Sequence, residues 1–100
     1  MNQIRKLVDD LCAQGDFIRA IETAMKSWRR AESQYGENHP VTAESMIILA
    51  DAAAGAKNHH LARAFYTRAL AVQEVALGPS HPDLEYSRSA LKILDENAES

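Results

Sequence analysis

The residues YGENHP at 35–40 return as LGPSHP at 77–82. Gly36, His39 and Pro40 recur as Gly78, His81 and Pro82, so the chain repeats itself with a period of 42 residues. A repeat constrains a fold more than any single motif does. Each unit is too small to bury its own apolar face and has to stack on the next one. The register also holds away from the turns. Leu7, Leu49 and Leu91 share one repeat position, Ala20 falls on Ala62, Glu32 on Glu74 and Ser45 on Ser87, and Ile4 lies opposite Met46.

Within each period the apolar residues describe two helices. Ile4, Leu7, Val8 and Leu11 recur at helical spacing and predict a helix over about 2–14. Gly15 and Asp16 form a turn. Phe17, Ala20, Ile21, Ala24, Trp28, Ala31 and Tyr35 then mark a second stripe over about 17–34. In the next unit Met46, Leu49, Ala50 and Ala53 predict a helix from Pro40 to about Ala56, with Lys57 and Asn58 as its turn. Ala62, Phe65, Tyr66, Ala69, Leu70, Ala76 and Leu77 mark the fourth helix. A third unit opens at Pro82, where Leu84, Leu91 and Leu94 predict a fifth.

This explains the repeated punctuation. Gly36 and Gly78 are expected to end a helix at positive φ. Pro40 and Pro82 are expected to open the next at its first turn, where a missing N–H costs nothing. Asn38 and Ser80 are expected to supply oxygen acceptors to the new N-terminus. Trp28 is expected to pack between the units.

Composition narrows the function. A chain of 100 residues with 46% hydrophobic and 25% charged residues is the size and make-up of one globular domain. The net charge is −3, and the nearest basic cluster, Lys26, Arg29 and Arg30, is interleaved with Glu22 and Glu32. Nucleic acid is therefore not an expected partner, since phosphate binding needs clustered cations. No apolar run approaches the ~20 residues of a bilayer span, so membrane insertion is not expected. The single cysteine, Cys12, rules out an internal disulfide. With a start, MNQIRKLVDD, that lacks a signal-peptide pattern, it points to a cytoplasmic setting.

The chain carries no recognisable catalytic motif. His59 and His60 are adjacent and point to different sides of a helix start, and the four histidines with Cys12 lack the ligand spacing of a zinc site. Cys12 alone reads as a small helix residue. Asp9 with Asp10 and Asp95 with Glu96 read as solvated neighbours. The chain shows no phosphate loop and no nucleophile elbow. Neither an enzyme nor a cofactor is expected.

The segment HPVTAESMIILADAAAGAKNHHLARAFYTRALAVQEVALGPSHPDL, from His39 to Leu84, resembles a tetratricopeptide repeat of the kinesin-light-chain type. That type has a 42-residue period in place of the usual ~34. The resemblance rests on Leu49, Ala50, Ala62, Tyr66, Ala69 and Leu70, and on the turn Leu77, Gly78, His81 and Pro82. The first unit matches at Leu7, Gly15, Phe17, Ala20, Tyr35, Gly36, His39 and Pro40.

The resemblance implies an all-α, antiparallel helix-hairpin solenoid with a right-handed superhelix and about five helices. It implies one domain over residues 1–100, with units at about 1–38 and 39–80 and a half unit plus cap at 81–100. The first helix of each unit would line a concave groove. That places Asn2, Arg5, Asp9 and Cys12, then Glu44, Ile47, Asp51 and Ala54, then Tyr86, Ser89, Ile93 and Glu96 along it.

Ile47, Tyr86 and Ile93 are apolar on a face that would otherwise meet water. Rimmed by Arg5, Asp9, Glu44 and Asp51, they would dock a helix or extended segment of another protein. Ile47 and Ile48 stand where light-chain-type repeats often carry two asparagines that contact a peptide backbone. Lys57 stands at a turn usually filled by Gly, and Arg88 and Lys92 make the last helix a polar cap. The implied function is a protein–protein interaction module, a small scaffold or adaptor. A second reading is self-association into a homodimer or larger structural homo-oligomer. A third is a regulatory or targeting domain of a larger enzyme or signalling protein.

Overall fold

Helix formation follows the apolar spacing closely. In the computed structural model, which describes residues 2–98, the chain forms α1 (Asn2–Ala13), α2 (Phe17–Tyr35), α3 (Pro40–Gly55), α4 (His59–Leu77) and α5 (Leu84–Ala98). The side chain of Asn2, expected in the groove, lies outside the described residues, as do residues 1, 99 and 100 of the expected domain.

The turn inside each unit is the same device twice. Gly15 (φ 79°) and Lys57 (φ 63°) occupy the left-handed region at equivalent repeat positions. After α1 the Asp16 N–H donates to the Leu11 carbonyl at 2.9 Å and the Gly15 N–H to the Cys12 carbonyl at 3.0 Å. After α3 the Asn58 N–H donates to the Ala53 carbonyl at 2.9 Å and the Lys57 N–H to the Ala54 carbonyl at 3.0 Å. Each pair satisfies helix-end carbonyls that would otherwise lack donors. Asp16 and Asn58 then cap the following helix, accepting from the Arg19 and Leu61 amides, each at 3.3 Å.

The turn between units is capped differently from the sequence expectation. Gly36 and Gly78 both adopt φ 92°, as expected. The acceptor at the next N-terminus, however, is an imidazole and not Asn38 or Ser80. His39 Nδ1 accepts from the Val41 N–H at 3.0 Å, and His81 Nδ1 from the Asp83 N–H at 3.1 Å. Nδ1 stands as many bonds from Cα as the side-chain oxygen of Asn or Asp does, so it reaches the same amide. Pro40 occupies the first turn of α3. Pro82 does not open α5, which begins two residues later at Leu84 after a tight turn from His81.

The helices form two layers, α1, α3 and α5 in one and α2 and α4 in the other, each helix packing on its neighbours in sequence. α3 is central and the most buried, apolar around most of its circumference apart from the edge that carries Glu44 and Asp51. Alanines at the crossings, among them Ala20, Ala24, Ala50, Ala53, Ala62 and Ala69, are fully buried and let the helices approach closely. Met46, Ile48 and Leu49 fill the centre. Trp28 packs between the units, edge-on to Phe65 at 4.8 Å between ring centroids, with the Arg68 guanidinium 5.3 Å above its ring.

Three expected stripe residues meet solvent instead. Leu7 and Tyr35 are each 47% exposed and Ala76 is exposed. Leu7 has no helix against it where Leu49 lies against a preceding unit. Tyr35 and Ala76 sit in the last turns of α2 and α4, beyond the body of the core.

Candidate functional site

One carboxylate organises the face formed by α1, α3 and α5. Asp51 lies on α3, one turn beyond Ile47, and its side chain is 18% exposed. Arg5 of α1 brings Nη1 to 2.7 Å from Asp51 Oδ2. The phenol of Tyr86 on α5 lies 2.8 Å from each Asp51 oxygen. Tyr66 of α4 donates its O–H to Asp51 Oδ1. Four helices therefore converge on one acceptor. The Asp9 carboxylate stands 3.7 Å from Arg5 Nε, a helical turn along α1.

The electrostatics follow from partial burial. Burial disfavours the charge on Arg5, but the adjacent Asp51 and the Tyr86 hydroxyl outweigh it and hold the guanidinium above its ordinary value. Burial, the hydrogen bond to Asp51 and the Asp51 charge push both the Tyr66 and Tyr86 phenols up, so both stay neutral donors. Burial, with Asp9 and Asp51 nearby, also pushes the Cys12 thiol up. A thiol raised in this way is a poor nucleophile at neutral pH.

Tyr86 divides the face into two clefts. One, of about 670 Å³, is lined by Arg5, Glu44, Ile47, Gln73, Leu77 and Tyr86, among others. The other, of about 710 Å³, has Ala54, His59, Tyr66, Tyr86, Ser89 and Ile93 among its walls. Two atoms in these walls lack partners: Gln73 Oε1 in the first and His59 Nδ1 in the second are buried without a hydrogen bond.

The residues expected in the groove divide between these features. Arg5, Asp51 and Tyr86 meet in the network. Glu44 and Ile47 line the first cleft, Ser89 and Ile93 the second. Asp9 and Cys12 line neither, Asp9 standing beside Arg5 and Cys12 half-buried against the core. Tyr86 and Ile93 are 50% and 56% exposed, but Ile47 is half-buried and packed against the core. Sequence reasoning missed Tyr66, His59 and Gln73, which belong to α4. Tyr66 fell into the apolar stripe, and only the polar end of its ring signalled a second task.

Residues 1–74 match the family model described as tetratricopeptide repeat. The chain belongs to the tetratricopeptide repeat family. A search of curated proteins returns no match to it. Tetratricopeptide repeats generally mediate protein–protein interaction and are typically non-enzymatic. Among the described residues of this tetratricopeptide chain, no helix is long and apolar enough to cross a membrane. Nor do His, Cys, Asp and Glu gather among those residues into a group able to hold a metal ion.

Proposed function

We propose that this tetratricopeptide chain is a docking module, a small scaffold or adaptor whose α1, α3 and α5 face receives a helix or extended segment of a partner protein. The observation that carries this reading is the second cleft. There Tyr86 and Ile93, each half-exposed, stand beside about 710 Å³ of open space walled by Ala54 and Tyr66. Half-exposed large apolar side chains at a concave wall gain from being covered, at about 25 cal/mol per Å² of apolar surface removed from water. The 42-residue period and the Gly-x-x-His-Pro turns support placement near the kinesin-light-chain type. With Ile47 and Ile48 in place of two asparagines, the grip comes from apolar contact around Tyr86 and Ile93. The module acts without catalysis, in the cytoplasm.

A peptide-display selection on the intact chain tests this, with Ile93→Asp as the counter-bait. Ile93 is 56% exposed, so a charge there is expected to leave the core intact, with circular dichroism as the check. Ile47, packed against the core, is unsuitable for this purpose. The expected outcome is a set of peptides that lose at least about tenfold in affinity, or ~1.4 kcal/mol, on the variant. Equal affinity for both baits rejects the docking face.

A further inference from the structure

The partner's chemistry is written in the charges around the two clefts. Asp9, Glu44, Asp51, Asp83 and Glu85 all lie in or beside them, against two guanidinium groups: Arg5, held by Asp51 and Asp9, and Arg88, 3.4 Å from Glu85. The chain as a whole is only −3, so its negative charge is concentrated on this face. Glu44 is exposed and forms no salt bridge to another described residue.

The unpartnered polar atoms add a second, independent observation. Gln73 is 8% exposed, lines the first cleft, and its Oε1 accepts no hydrogen bond. His59, half-buried, likewise has its Nδ1 without a hydrogen bond at the second cleft. A buried acceptor left unpaired costs about 1–3 kcal/mol. Each cleft therefore has a buried polar atom that no protein group satisfies, and carboxylates outnumber guanidinium groups at the rims.

We infer that the segment docked here is basic: a Lys- or Arg-bearing amphipathic stretch. Its apolar side chain fills the cleft at Tyr86 and Ile93, and its cationic groups reach Glu44 and Glu85. This inference rests on the docking reading above and adds the sign of the partner. Opposite charge on the rim speeds encounter and excludes acidic competitors. The apolar clefts supply the seat.

Two fluorescent probe peptides decide it. One carries Leu anchors on a helical face flanked by Lys. The other is identical with every Lys replaced by Glu. Each is titrated by anisotropy against the intact chain, the Glu44→Lys, Glu85→Lys double variant and Ile93→Asp. Both Glu side chains are exposed, so the double variant is expected to fold, with circular dichroism as the check. The expected result is at least about tenfold tighter binding of the Lys probe, weakening with salt. The double variant should reverse the preference, and Ile93→Asp should lose the binding. If the Glu probe binds as well or better, and still loses binding on Ile93→Asp, the basic partner is overturned while the docking face stands. If neither probe binds, or Ile93→Asp changes nothing, both readings fall together.

Discussion

Lys57 occupies a backbone conformation that suits glycine. Its φ of 63° matches the 79° of Gly15 at the equivalent position, and both residues close the same hydrogen-bonded turn. A side chain in the left-handed region costs about 1–2 kcal/mol, while glycine gives back about 0.5–1 kcal/mol in chain entropy. Lys57→Gly is therefore expected to stabilise the fold by roughly 0.5–1 kcal/mol in urea unfolding. A loss of stability would show that the Lys57 side chain contributes contacts of its own. At the same scale, His39 and His81 explain why the repeat keeps His next to Pro. Because each Nδ1 accepts an amide, each ring carries its proton on Nε2. The sequence marked these histidines as turn residues but did not assign the cap to them, because imidazole is not among the usual N-cap types.

At the scale of elements, the two junctions between units use different chemistry. At the first, the fully buried Thr42 hydroxyl donates to the Gly36 carbonyl at 2.6 Å, with the Ala31 carbonyl at 3.3 Å. At the second, the same repeat position is Leu84, also fully buried, and Arg88 reaches back to the Pro79 carbonyl at 2.8 Å. Thr42→Val is expected to cost about 1 kcal/mol by thermal or urea melting, with Thr42→Ser close to the parent protein. Equal stability of Val and Thr would show that the hydroxyl is replaceable by packing. The helices were legible because apolar spacing alone determines them, and the expected boundaries of α1, α2 and α3 moved by at most one residue, while the start of α5 moved by two. There Pro82 fell in a tight turn that its sequence did not distinguish from the first turn of a helix. Side-chain burial was less legible, since it depends on what lies opposite. On α2, Thr23 and Arg30 stand where α4 carries Phe65 and Val72, and the Thr23 and Arg30 face has no helix against it.

At the scale of the whole molecule, Asp51 joins α1, α3, α4 and α5 through Arg5, Tyr66 and Tyr86. The resemblance to light-chain-type repeats put Arg5, Asp51 and Tyr86 on one face, because it assigns the first helix of each unit to the groove. It gave no sign that they meet, because the meeting depends on how successive units are offset. The network makes a prediction about pH. Both phenols are raised in the folded protein above the unfolded value of about 10. Their contribution is thus fully present below about pH 10 and drains away as pH rises through the folded values. Denaturant melts are expected to show stability falling in that alkaline range, and Tyr66→Phe with Tyr86→Phe is expected to flatten the fall. An alkaline limb unchanged in the double variant would remove the network from the account. The central claim is that the α1, α3 and α5 face, and not the outer layer, receives a partner segment. The most direct measurement is a backbone amide titration of the labelled chain with a display-selected peptide. The account expects shift changes along Glu44, Asp51, Tyr86, Ser89 and Ile93. Changes confined to the exposed outer positions of α2 and α4, around Arg29 and Val75, would contradict it.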